Sequence, residues 1–200
     1  MNKIISFILL FFELSFLHVS AQEKGTLGFT FSALNSNMLM QSSSLNPDYT
    51  AIKGRGFMSF SADYWYPVSD WIEFETGVNY SLQSFAETNN NPASEQQEPK
   101  YYDENYINIP VGLRLSFLKY GFVNTGILLD VWEEQGIGAY FGAGVKIESP
   151  IGFGIFANPY LKTHSILPID FNEKAKRLVD AGVRVGVSFK IGRNTDNWRR

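Results

Sequence analysis

The sequence predicts an all-β fold, an eight-stranded antiparallel transmembrane β-barrel in an up-and-down meander, preceded by a cleaved signal peptide. Three observations predict it. Segments with an apolar residue at every second position recur eight times along the chain. The charges in those segments gather on the alternate face. The connections divide into long polar loops and short turns, as they do at the two rims of an outer-membrane barrel.

The fourth segment, Tyr106–Phe117, shows the pattern most clearly. Ile107, Ile109, Val111, Leu113, Leu115 and Phe117 form one face; Tyr106, Asn108, Pro110, Gly112, Arg114 and Ser116 form the other. It is about the length a tilted strand needs to cross a bilayer. Pro110 lacks an N–H, so a bulge or a missing ladder bond is expected there.

The other predicted strands, in order, are Thr26–Leu34, Gly54–Tyr66, Trp71–Phe85, Phe122–Trp132, Gly138–Glu148, Phe153–Leu161 and Leu178–Ile191. Pro159 weakens the seventh. Asn35–Lys53, Ala86–Asn105 and Lys162–Arg177 read as long polar loops, and the loop after the fifth strand is short. Pro67–Asp70, the stretch around Lys119–Gly121, and Ser149–Gly152 read as tight turns.

The expected organisation is a signal peptide over 1–21, a barrel domain over 22–191 and a short tail over 192–200. Lys3 supplies a positive start, Ile4–Leu17 an apolar run, and Val19-Ser20-Ala21 a small-residue cleavage site. An uncleaved anchor fits less well, because the run is short for a spanning helix. With no cysteine, the chain has no disulfide framework, cysteine metal site or thiol nucleophile. A net charge of -3 without a basic block gives no electrostatic reason to expect nucleic acid.

A soluble β-sandwich also alternates, so the side that carries charge has to decide. Asp63, Glu73, Glu75, Arg114, Asp130, Lys146, Glu148, Asp180, Arg184 and Lys190 fall on the polar faces with many glycines, while the apolar faces carry essentially no charge. Eight strands enclose a space that side chains can fill. The mixed signs fit a lumen in which buried charges pair, because unpaired ones are costly. Tyr64, Trp65, Tyr66, Trp71, Phe117, Tyr120, Phe122 and Phe189 lie near strand ends, as interfacial girdles do.

Tyr106–Arg114, reading Y-I-N-I-P-V-G-L-R, resembles the Y-[IL]-x-[IL]-P-[LV]-x-[LI]-[KR] strand of the PorT-like outer-membrane barrels of Bacteroidetes. Thr76–Ser81 is similar to the third strand of that family, and Ala21-Gln22 to its processing site. The chain departs from outer-membrane barrels in ending Asn197-Trp198-Arg199-Arg200, without a terminal aromatic. The resemblance implies an outer-membrane barrel exported through a signal peptide, surrounded by outer-membrane lipid. It also implies protein partners of a secretion or motility system, for some members of a functionally mixed family.

Candidate chemistry is sparse. His164 and Ser165 are adjacent and would point opposite ways on a strand, whereas a lipid-deacylating pair needs one face. His164 therefore reads as a loop histidine. Glu73 and Glu75 share a face and read as partners of lumen cations rather than as a catalytic acid pair. Asp103, Glu104, Glu133 and Glu134 sit on expected rim loops, where weak cation binding competes with simple solvation. No glycine-rich loop opens a helix as a phosphate site would. The expectation is a non-enzymatic barrel with a filled lumen, no catalytic, cofactor or metal site, and activity at its loops or through partners. A narrow solute pore is the alternative, and a lipid-modifying enzyme fits less well.

Overall fold

In a computed structural model the chain forms a closed antiparallel barrel of eight strands, each paired with its neighbours in chain order and β1 with β8. The structure describes residues 25–43, 46–87, 100–132, 136–168 and 176–191. The strands are β1 (Gly25–Ser43), β2 (Asn46–Pro67), β3 (Ile72–Glu87), β4 (Lys100–Phe117), β5 (Gly121–Asp130), β6 (Gly136–Glu148), β7 (Phe153–Pro168) and β8 (Lys176–Ile191). The expected signal peptide over 1–21 and the tail over 192–200 lie outside the described residues.

Closure leaves no free edge, so the backbone polar groups of every strand can be met by a neighbour. The outward face is the apolar one. Phe141 is 55% exposed and Ile147 58%, whereas the inward Arg114 and Glu75 are each 1% exposed. This inside-out distribution is that of a barrel whose outer solvent is lipid. A rare polar group on that face, the Thr125 hydroxyl, donates to the backbone carbonyl of Tyr140 at 3.0 Å. That bond satisfies it without water.

Several strands run past the predicted ends. Asn35–Lys53 was expected as a loop, but β1 continues to Ser43 and β2 begins at Asn46. Likewise β3 reaches Glu87 and β4 starts at Lys100, inside the expected loop Ala86–Asn105. Beyond the apolar band the outward face meets water and loses its apolar residues, so the period-two signal fades while the ladder continues and inward Ile52 and Phe85 stay buried. Asp103 and Glu104 are therefore strand residues that point opposite ways. Asp103 accepts from the Ser84 hydroxyl at 2.7 Å, and Glu104 from the Tyr106 hydroxyl. They do not form a shared cation site, and Glu133 and Glu134 lie outside the described residues.

The turns at the opposite rim are short, as expected. The Val68 N–H donates to the Ile72 carbonyl at 2.9 Å, and the Ser149 N–H to that of Phe153 at 2.7 Å. Pro110 makes no bulge. The β3–β4 register passes from Thr76↔Val111 to Asn79↔Asn108 without a shift, and the pairs between them are skipped. Pro159 behaves the same way against β6, between Val145↔Ala157 and Gly142↔Tyr160. Each proline interrupts one side of the ladder and leaves the strand in register.

Candidate functional site in the lumen

Inward side chains fill the barrel in successive levels. At the turn rim the Lys146 ammonium lies 2.8 Å from Glu148 Oε2, and Lys190 pairs with the other oxygen of Glu148 while remaining half exposed. These three predicted lumen residues form a cluster at the mouth, with the Lys146 ammonium 5.7 Å from the centre of the Trp65 ring in the next level.

Above that mouth sits Arg114, on β4. Its guanidinium carbon stands 3.6 Å from the centre of the Phe122 ring, 4.3 Å from Trp65 and 5.8 Å from Phe156. Its Nε lies 3.5 Å from Glu73 Oε2. Trp65 packs edge-on against Phe156 at 5.3 Å. Trp65 and Phe122 were expected in the interfacial girdle, but both are buried inside the barrel. Each shares the parity of the polar face, and a desolvated guanidinium is well served by aromatic faces. Glycine makes room for them: a Cβ at Gly28 would stand 2.5 Å from the Trp65 ring, and one at Gly144 2.5 Å from the Phe122 ring.

The middle level is a hydrogen-bond chain. The Asn158 amide donates to Asn124 Oδ1 at 3.1 Å, and the Asn124 amide donates to both Glu75 oxygens at 3.2 and 3.1 Å. Arg184 Nη2 lies 3.9 Å from Glu75 Oε1. Asp63, equally buried, accepts from the Ser61 hydroxyl at 2.8 Å, and Ser61 in turn bonds Thr30. Such charges are tolerable in the interior because partners meet them.

The level nearest the loops holds a histidine between two aspartates. His164 Nδ1 donates to Asp130 Oδ1 at 2.8 Å, and its Nε2 lies 3.6 Å from Asp180 Oδ2. The Ser165 N–H donates to Asp130 Oδ2 at 2.9 Å. His164 was expected on a loop with Ser165 facing away from it. Instead β7 continues to Pro168 and both residues are buried. The reason is a bulge: the β6–β7 register shifts between Ile137 and Ala139, and Ser165 takes a left-handed φ of 49°. That irregular residue breaks strict alternation and turns two neighbours inward. Lys162, also expected on a loop, is buried beside Tyr160, its ammonium 5.2 Å from the ring centre.

Lys162 and His164 are hidden in the sequence by Pro159, which reads as an interruption of the seventh strand. The signal was present: Gly154, Phe156, Asn158, Tyr160, Lys162 and His164 keep one parity, while Phe153, Ile155, Ala157 and Leu161 keep the other. Over this level lies an apolar plug of Ile52, Phe85, Tyr106 and Leu178, and the Tyr106 ring stands 5.9 Å from the imidazole of His164.

No family model matches the chain, and no curated protein does. Among solved structures the chain is similar to outer membrane protein AlkL, determined by solid-state NMR in lipid bilayers. That likeness has 13% identity and a TM-score of 0.50, over 87% of this chain and 92% of that one. Ail, the attachment invasion locus protein of Yersinia pestis, is similar at 10% identity and TM-score 0.41, over 84% and 99% of the two chains. The outer membrane protease OmpT from Escherichia coli is similar at 7% identity and TM-score 0.38, over 84% and 96%. At 13% identity the likeness to AlkL is one of fold alone. The eight-stranded barrel is common ground with AlkL.

Proposed function

We propose that the chain is an outer-membrane β-barrel with a filled, non-conducting lumen, which acts through its loop rim or through partners and not as an enzyme. The observation that carries the reading is the stack of side chains across the bore: the Arg114 aromatic cluster, the Glu75–Arg184 level, the His164–aspartate level and the apolar plug. A narrow solute pore would need a wetted path past all four. A lipid-modifying enzyme would need its nucleophile and base open to substrate, and His164 and Ser165 are each about as buried as Arg114.

The apolar exterior supports a lipid surrounding, and the apolar N-terminal run over Ile4–Leu17 supports export through a signal peptide. In this reading the chain's N-terminal end enters from the periplasm, so the turn rim lies there and the long strands and loops project from the cell. The Tyr106–Arg114 motif supports a role like that of PorT-like barrels, alongside protein partners of secretion or motility machinery. Planar-bilayer recording tests the lumen: purified protein should give no steady conductance. Stable single-channel openings would overturn the filled-lumen reading.

A further inference from the structure

Along β4 the apolar wall has a definite height. Its outward side chains are apolar from Ile107 to Phe117, and beyond Ile107 the outward positions become Asn105 and Asp103. At about 3.3 Å per residue and a tilt of about 40°, that run rises roughly 25 Å. A hydrocarbon core is typically about 30 Å thick. The neighbouring β3 has the same limits, with Leu82 opposite Asn105 at one end and Ile72 opposite Leu115 at the other. At the loop end the outward face is already polar, so only the turn rim can supply the missing height.

The turns on that rim carry apolar residues where water-facing turns favour Gly, Pro, Asn, Asp and Ser. Leu118 is 94% exposed, Ile151 87% and Val68 61%, one in each of the three turns, with Trp71 and Tyr120 exposed beside them. Leu118 also holds a left-handed φ of 55°, a conformation that glycine adopts freely and asparagine tolerates. It therefore carries a strained backbone together with an exposed apolar side chain, and an apolar surrounding removes the second cost. The turn backbones are tied down. The carbonyls of Trp71 and Tyr120 accept from the N–H groups of Ser116 and Lys146, each at 2.8 Å, and that of Gly152 from Lys190 at 2.9 Å. Each turn is thereby fastened to the neighbouring strand. The apolar tips are continuous with the lipid-facing wall, because Phe117 adjoins Leu118, Ile72 follows Trp71 and Phe153 lies two residues from Ile151. Lys119, its ammonium 5.3 Å from the centre of the Tyr120 ring, adds a cation at the same level, the pairing of an interfacial anchor.

We propose that the turn rim is a lipid-binding surface, with the tips of all three turns seated in the acyl–glycerol zone of the phospholipid leaflet on the periplasmic side. Val68, Leu118 and Ile151 extend the apolar wall by the few ångströms it lacks, the shorter of the two ways a barrel meets a thicker bilayer, the other being to thin it. Lys119 takes the lipid phosphates. The proposal rests on the membrane-barrel reading and adds to it the depth at which the barrel sits.

The chain has no cysteine, so a nitroxide on a single introduced cysteine reports one position without background. Val68→Cys, Leu118→Cys and Ile151→Cys are labelled in the full mature chain and inserted in phospholipid vesicles, beside Leu113→Cys on the lipid-facing wall and Asp103→Cys at the polar end of β4. Collision rates are measured with oxygen, which concentrates in hydrocarbon, and with a nickel chelate, which stays in water. The tips should resemble Leu113→Cys, with an oxygen-to-nickel ratio about tenfold above that of Asp103→Cys. Leu118→Asn gives a second readout, because asparagine suits the left-handed backbone. It should fold as the parent does in detergent micelles, yet insert into vesicles with about threefold lower yield. Tips as wet as Asp103→Cys, in an inserted barrel whose gel mobility shifts on boiling, would overturn the proposal, leave the barrel reading intact and make the tips a surface for a soluble partner. Unchanged insertion of Leu118→Asn would overturn it equally. Failure of the parent itself to insert would overturn both.

Discussion

Replacing Arg114 by methionine should destabilise the barrel by about 3 kcal/mol, near the lower end of the range for breaking a buried ion pair. Methionine keeps much of the side-chain volume, so the loss is that of the guanidinium itself. Two contributions can be read from the geometry. A desolvated cation over an aromatic face contributes about 2 kcal/mol, and Arg114 stands 3.6 Å from Phe122 and 4.3 Å from Trp65. The remainder comes from Glu73, whose carboxylate 3.5 Å away loses its partner. Because Glu73 is only partly buried, water meets some of that cost. Arg114→Ala should cost more, because it adds a cavity among three rings. Pairing Arg114→Met with Glu73→Gln should recover about 1 kcal/mol, the size of coupling expected for residues in contact. Urea titration in lipid micelles, read by the gel mobility of folded and unfolded forms, measures all three. If Arg114→Met stays within about 0.5 kcal/mol of the parent, where surface substitutions fall, the aromatic cluster does not hold the charge as described.

Other substitutions separate the lumen from the wall. His164→Ala leaves Asp130 and Asp180 facing each other without the imidazole and should cost about 3–5 kcal/mol by the same titration, with Asp180→Asn returning part of it. If His164→Ala instead abolished a lipid-deacylating activity of the parent, the non-enzymatic reading would be wrong. Leu113→Arg puts a charge on the exposed apolar face of β4 and should cost about 2–4 kcal/mol for folding into vesicles, as expected near a bilayer midplane. Gly28→Ala drives a methyl into the Trp65 ring and should cost about 1–3 kcal/mol, the usual range for overpacking; an unchanged urea midpoint would mean the ring has room to move.

The wall was legible in the sequence because lipid imposes a strict rule. Outward positions between the interfaces are apolar almost throughout, and Ile107 to Phe117 and Val179 to Ile191 alternate without exception. The lumen was legible for a related reason: Asp63, Glu75, Arg114, Asp130, Asp180 and Arg184 had no other face to occupy, and all are buried there. What escaped obeys weaker rules. Strands beyond the bilayer have a wet outward face, so the extensions to Ser43, Glu87 and back to Lys100 lose the apolar alternation that marks the wall. Aromatics near strand ends suit a girdle and a lumen equally: buried Trp65 and Phe122 lie within strands on the inward parity, whereas exposed Trp71 and Tyr120 lie in the turns. A bulge sets the rest. The left-handed Ser165 places His164 and Ser165 on one side, a departure that does not follow from a pattern whose period is two.

The central claim is that this chain is a barrel whose apolar wall requires a membrane. Cell fractionation combined with gel mobility before and after boiling tests it most directly. The account predicts a protein that stays with the outer-membrane fraction and migrates differently once boiled, because a closed barrel resists detergent until heat opens it. A protein recovered soluble from the periplasm, with the same mobility boiled or not, would contradict it.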